Sequence, residues 1–169
     1  HTFVKGSCPD SMENVEPPLW PGLARFSYVA GLSSLTDISA GCHLILRDLH
    51  LMSSADLYEW YEETKFRALS VVPSVGRGIA ALDREPMRFV RRVDTYGEAL
   101  QWSDVTALRQ ITRPGTPITV NYGSSEAGGI ANFEIPADMP VTDGPIPLGV
   151  PYGDSRIRLE PIDTEPGSP

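Results

Sequence analysis

Four short apolar runs recur along this chain, separated by amphipathic segments of about ten residues, and that alternation constrains the fold more than any other feature. The runs are His43-Leu44-Ile45-Leu46, Ala68-Leu69-Ser70-Val71-Val72, a third that starts at Phe89-Val90 and reaches Thr95, and Ile118 to Asn121. Between the first two, Ser53 or Ser54 caps a helix through Lys65 whose Leu57, Trp60 and Tyr61 fall on one face. Pro73 opens a second helix to about Leu82, with Val75, Ile79 and Leu82 inward. Ser103 caps a third that carries Val105, Leu108 and Ile111, and Leu32 to Ala40 fits a shorter one. Crossover helices return the chain to the same end of a sheet, so this order predicts an α/β fold: a parallel sheet flanked by helices. Ligands in such sheets bind beyond the carboxyl ends of the strands. Three unusual turns fall at those ends: Pro73-Ser74-Val75-Gly76, Asp94-Thr95-Tyr96-Gly97-Glu98 and Tyr122-Gly123-Ser124-Ser125-Glu126. They are expected to converge on one crevice.

At 169 residues the chain is one domain long and can bury a core. Residues 1–22 read as turns and extended chain, and 143–153 form a stretch rich in Pro and Gly. Residues 156–160 are expected to form a last, alternating strand. The net charge of -8 argues against a nucleic-acid surface, which needs clustered Lys and Arg. Arg88, Arg91 and Arg92 do cluster, but they flank an apolar run and are read as solvating a strand end. Cys8 and Cys42 have no CxxC spacing and no metal-ligand company, which suits reduced thiols. His43 sits in an apolar run and is read as structural. No stretch approaches the roughly 18 apolar residues of a membrane span and no signal-peptide pattern opens the chain, so a cytoplasmic protein is expected.

The chemistry concentrates in Val120-Asn121-Tyr122-Gly123-Ser124-Ser125-Glu126-Ala127-Gly128-Gly129. A strand that ends in such a turn aims backbone N–H groups, hydroxyls and a carboxylate at one point, the donor set that phosphate and magnesium require. Gly123 permits the tight turn, Ser125 can donate to a phosphate oxygen and Glu126 can hold the metal. A plain strand-to-helix loop capped by Ser124 or Ser125 would use the same residues. Gly123-x-Ser125-x-Ala127 also approximates a hydrolase nucleophile elbow, but that order needs a histidine after the serine. His1, His43 and His50 all precede it, so the elbow fails within this chain.

The same turn resembles the Tyr-Gly-x-Thr-Glu signature of the adenylate-forming enzymes, which include acyl-CoA synthetases, luciferases and the adenylation domains of nonribosomal peptide synthetases. The resemblance extends over most of the chain. Phe26-Ser27-Tyr28-Val29-Ala30-Gly31-Leu32 is similar to their Leu-Phe-His-x-Ala-Gly-Leu segment, and Ala40-Gly41-Cys42-His43 to the small-Gly-small lead into a strand. Val72-Pro73-Ser74 resembles their Val-Pro-Thr turn, and Tyr96-Gly97-Glu98-Ala99-Leu100 their Gly-Gly-Glu-Ala-Leu loop with Tyr96 for the first glycine. Leu148-Gly149-Val150-Pro151 through Arg156-Ile157-Arg158-Leu159 is similar to the Gly-Arg-Pro segment and the strand after it.

The resemblance implies roles for these residues. Gly97, Glu98 and Ala99 would lie along adenine and ribose, and Tyr122 would stack on the adenine. Gly123 would turn beside the nucleotide, Ser125 would bind the α-phosphate of ATP or AMP, and Glu126 would be the magnesium ligand. Tyr28, Asp94, Tyr96, Asn121, Gly129 and Ile130 would line the pocket for a small carboxylic acid. Tyr28 stands where amino-acid-activating domains carry an aspartate, which implies an acid without an α-amino group. Asp94 would either hold an amine placed elsewhere on the substrate or cap a turn. The acceptor would be CoA or a phosphopantetheine carrier domain. The family's phosphate loop, ribose-binding aspartate, hinge and catalytic lysine have no counterpart in these 169 residues. The chain is therefore expected to be one incomplete α/β subdomain. Residues 23–142 would be its core and 143–169 the start of the following β segment. It would work with the remainder of an adenylation domain and have no useful activity alone. A non-catalytic, degenerate adenylation subdomain kept for structure or partner docking is the alternative.

Overall fold

The computed structural model describes residues 19–22, 35, 38–39, 41–48, 51–153 and 155–159. Local signals set its helices. Ser53 donates from its backbone N–H and its hydroxyl to Asp56 Oδ2 (2.8 and 2.7 Å) and accepts from the Asp56 N–H, which fixes the start of α1 (Ser54–Thr64). The helix stops where Lys65 adopts a left-handed conformation. Leu57, Trp60 and Tyr61 are buried, as their spacing predicts, and Phe66 meets the rings of Trp60 and Tyr61 edge-on at 4.9 and 5.0 Å between centroids. Pro73 opens α2 (Pro73–Ala80), where its missing N–H leaves no bond unmade. The third helix, α3 (Trp102–Ile111), starts earlier than expected, with Gln101 and not Ser103 at its N-cap. Asp104 is the cause: its carboxylate accepts the Gln101 N–H at 2.8 Å and draws the start toward itself. The same carboxylate accepts from Arg77 Nη1 at 2.7 Å and so ties α3 to α2. Leu35, Ile38 and Ser39 are helical, and the remainder of the helix expected at 32–40 lies outside the described residues.

The strands are β1 (Leu19–Gly22), β2 (His43–Leu46), β3 (Ala68–Val71), β4 (Arg92–Thr95), β5 (Ile118–Ser124), β6 (Gly128–Ile135) and β7 (Val150–Pro151). β3, β4 and β5 run parallel and in that order, while β6 and β7 extend the same sheet antiparallel. The register aligns Leu69, Val93, Ile118 and Ile135 across four strands, and none is more than 1% exposed. Leu108 of α3 packs against Gly76 of α2, and Val71 lies beside that contact, so both helices cover this apolar face.

Four features depart from the sequence expectation. β2 does not join the main sheet: it pairs in parallel with β1, and His43 and Leu46 are exposed. Pro18 and Pro21 hid β1 in the sequence, yet a two-stranded pair leaves open edges where a missing N–H is tolerated. Phe89-Val90 is a turn, in which the Val90 N–H meets the Met87 carbonyl, so β4 begins only at Arg92. β5 does not end at Asn121 but continues to Ser124 and folds back as β6. Residues 155–159 form no strand, and Val150–Pro151 supplies the last one.

Leu108→Ala should destabilise the protein by about 2–5 kcal/mol, since it empties a site shared by both helices and the sheet. Urea denaturation measures this, and a loss below about 1 kcal/mol would mean that the helix layer is not packed as described.

Candidate nucleotide and acid site

Two of the three turns are joined by direct bonds. Ser74, in the first turn of α2, donates its backbone N–H to Glu98 Oε2 (3.0 Å) and its hydroxyl to Glu98 Oε1 (2.6 Å). Arg77 Nη2 stands 3.9 Å from the same carboxylate. A carboxylate at a helix N-terminus satisfies an unpaired N–H and the helix dipole together. Glu98 is thus a structural clamp between the turns, while the Gly97–Ala99 backbone beside it remains exposed.

The third segment adjoins them through the sheet. Thr95 pairs with Val120, so the chain after β4 and the Asn121–Tyr122 step of β5 leave the parallel ladder side by side. Residues 122–126 then form the tip of a hairpin, not a strand-to-helix loop. The ladder shifts register between Tyr122 and Gly123, and the Gly128 carbonyl fills the space that a Gly123 side chain would need. At the tip Ser124 Oγ accepts the Ala127 N–H at 3.1 Å. The Glu126 carboxyl is held below its usual range by its own backbone N–H and then by Ser124, which keeps it anionic. Ser125 and Glu126 are exposed, and Tyr122 presents its ring at 46% exposure.

The face of the sheet opposite the helices α2 and α3 is polar. Strand alternation puts Ser70, Arg92, Asp94, Thr119, Asn121, Asn132, Ile130 and the exposed Glu134 on it. Arg92 Nε lies 3.0 Å from Asp94 Oδ2, with only 30% and 19% of the two side chains exposed, so Arg92 does not solvate a strand end. Burial pushes the Asp94 carboxyl above its ordinary value; Arg92 and then the Asn121 amide oppose that shift. Tyr96 is likewise pushed up, by burial first and by Asp94 second. Tyr61 of α1 is pushed up chiefly by burial and senses Ser70, Tyr96 and Asp94.

Tyr152, which no sequence motif singled out, completes this face. Its backbone N–H bonds to the Ile130 carbonyl (3.0 Å) and its hydroxyl to Asn121 Oδ1 (2.5 Å). Its ring lies 3.0 Å from where a side chain at Gly129 would begin, so a larger residue at 129 would press on the ring and shift it by a few tenths of an ångström. A tyrosine within a Pro/Gly-rich stretch carries no periodic signal.

No family model and no curated protein matches the sequence. Solved structures do match the fold. The N-terminal subdomain of Klebsiella oxytoca NpsA, in complex with 3-hydroxybenzoyl-AMSN, aligns with 82% of this chain and 36% of its own (TM-score 0.65, 18% identity). The Vibrio cholerae adenylation domain AlmE, in complex with glycyl-adenosine-5′-phosphate, aligns with 81% of this chain and 26% of its own (TM-score 0.66, 15% identity). Holo-PA1221, a peptide-synthetase protein containing adenylation and PCP domains, aligns with 80% of this chain and 24% of its own (TM-score 0.64, 17% identity). The chain has the adenylation-domain fold. It spans well under half of the length of each of these structures.

Within the adenylation fold, the expected acid-pocket residues Asp94, Tyr96, Asn121, Gly129 and Ile130 gather at the polar face and its rim. Tyr28 falls outside the described residues. Glu126 suits a magnesium ion as a single anionic oxygen ligand; among the described residues no cluster of three or more His, Cys, Asp and Glu could hold a metal. One carboxylate plus phosphate oxygens is a usual magnesium ligand set.

The Asp94 carboxyl titrates above its ordinary 3.8 in the folded state, so the folded protein binds that proton more tightly than the unfolded chain. Its contribution to stability is therefore greatest below 3.8 and declines as the pH rises through the raised folded value. Asp94→Asn should flatten that decline. Urea denaturation over a pH series tests this, and an unchanged profile would show that the carboxyl is not buried as described.

Proposed function

We propose that this chain is the central section of an ATP-dependent carboxylate-activating ligase, bearing its adenine, α-phosphate and acid contacts. The supporting observation is the gathering of the 73–76 and 94–98 turns and the 122–126 tip at one end of a parallel ladder. This occurs within the fold of proteins that hold acyl-adenylates or their analogues. In the parent reaction an oxygen of the carboxylic acid attacks the α-phosphorus of ATP. The bond from that phosphorus to the bridging oxygen breaks, and pyrophosphate leaves. The acyl group of the resulting adenylate then passes to a thiol of CoA or of a carrier domain. The nucleophile belongs to the substrate, so the protein has to bind, align and neutralise charge.

Each residue has a task in this reading. The exposed Tyr122 ring offers a stacking face for adenine, beside the Gly97–Ala99 backbone. The clamp from Ser74 to Glu98 holds that backbone still. Ser125 donates to the α-phosphate, and Gly123 lets the tip turn toward it. Glu126, kept anionic, holds magnesium, which when bound neutralises phosphate charge. The acid lies along the polar face at Asp94, Asn121, Gly129 and Ile130, with Tyr96 at its border; Tyr28 enters this reading through the resemblance alone. Tyr28 offers a phenol and no carboxylate, which favours acids without an α-amino group.

In the full-length polypeptide, Glu126→Ala should lower kcat for adenylate formation on the order of a hundredfold while changing the KM for the acid little. ATP–pyrophosphate exchange measures both constants, and wild-type activity in this variant would remove Glu126 from the mechanism. The same assay over acids paired with their α-amino counterparts should favour the acid that lacks the amine. A preference for the amino acids would assign the anchor to a residue other than Tyr28.

A further inference from the structure

This inference rests on the reading that the polar sheet face receives the acid. On that face Arg92 and Asp94 form an ion pair at 3.0 Å, and beside it the Tyr152 hydroxyl donates to Asn121 Oδ1. Asn121 stands on the same face of β5, two residues on from Thr119, which is in register with Asp94. Arg92 and Asp94 stand two residues apart on β4, so both project from the same face and neither reaches the other by accident of a mobile loop. Ser70 and Thr119 flank Asp94 in register and add hydroxyls. Asp94 is thus a largely buried carboxylate whose charge is matched by Arg92 beside it, while Glu134, in register with Thr119 on the same face, stands exposed to solvent.

We propose that Arg92 is a positioning residue that sets the substrate class. By holding Asp94 it presents the far end of the acid with a neutralised ion pair among hydroxyl and amide groups. That arrangement accepts a hydroxyl or similar neutral polar substituent and rejects an ammonium group. An ammonium group there would have to displace Arg92 from Asp94, leaving one cation of the two partly buried without its counter-charge. This concerns the end of the acid remote from the carboxylate and is separate from the preference at the α-position.

The test is ATP–pyrophosphate exchange by the full-length polypeptide with acids matched in shape and differing in charge. Suitable pairs are meta-hydroxybenzoate with meta-(aminomethyl)benzoate, and an ω-hydroxy with an ω-amino straight-chain acid of equal length. Wild type should favour the hydroxy member in kcat/KM by about tenfold or more. Arg92→Met should raise use of the ammonium member and shrink that ratio by about tenfold, whereas Arg92→Lys should keep it. The double variant Arg92→Met with Asp94→Asn should lose the gain, because the released carboxylate is gone, an outcome that a merely structural role of Arg92 would not produce. A wild-type preference for the ammonium acids, or an unchanged ratio in an active Arg92→Met enzyme, overturns the proposal. If Arg92→Met does not fold, the wild-type ratio together with Arg92→Lys decides it. Exchange with none of the acids would overturn the carboxylate-activation reading itself, whereas exchange with the wrong member of each pair overturns only this inference.

Discussion

The alternation of side chains across a sheet is the constraint on which the remaining structure rests. Leu69, Val93, Ile118 and Ile135 are aligned and buried, and a slip of one residue in any of these strands would turn an apolar side chain out and a polar one in. Burial on one face therefore fixes register on both. Asp94 faces away from the helices α2 and α3 because Val93 and Thr95 must face them, and Asn121 is its neighbour because Val120 is buried. The candidate acid site is in this sense a by-product of the core. Its polar residues are placed to within a strand spacing before any of them touches another.

A second layer of order comes from acidic residues used as fasteners. Asp56 closes the start of α1, Asp104 closes the start of α3 and holds Arg77, and Glu98 fastens the turn after β4 to the first turn of α2. Each fastener satisfies backbone N–H groups that a helix N-terminus leaves without partners. Glu98 and Glu126 show how position divides the work of one residue type. Glu98 is bonded on both oxygens to Ser74 and steadies backbone, whereas Glu126 stands at an exposed hairpin tip, where its charge is open to a cation.

The sequence shows some of this directly. Helical spacing of Leu57, Trp60 and Tyr61, the serine cap and the proline at the start of α2 are local signals, and local hydrogen bonds enforce them. Glu126, Tyr122 and Gly97 are singled out through resemblance alone, which works on short motifs because they keep neighbouring residues together. Arg92 was misread, since a basic residue near a strand end is usually solvated and only pairing two residues along the strand reveals its partner. Tyr152 was invisible because its hydroxyl reaches a residue 31 positions away. The segment 122–126 reads from sequence as a strand-to-helix loop capped by a serine, because a serine after a strand suits a helix start as well as a hairpin turn; in the structure β6 begins at Gly128 and Gly129 lies against the Tyr152 ring.

The sequence by itself determined the helices α1, α2 and α3 and the parallel sense of β3, β4 and β5, because these follow from periodicity and chain reversal within about thirty residues. Tertiary structure alone decided that β2 stands apart from the main sheet and that β5 folds back into β6. It also decided that Asp94 lies paired with Arg92 and that Tyr152 bonds to Asn121 on the same face. Those outcomes depend on which distant strand satisfies an open edge and on which charge is buried beside which. Both are free-energy differences between whole packings of the chain, and no local pattern encodes them.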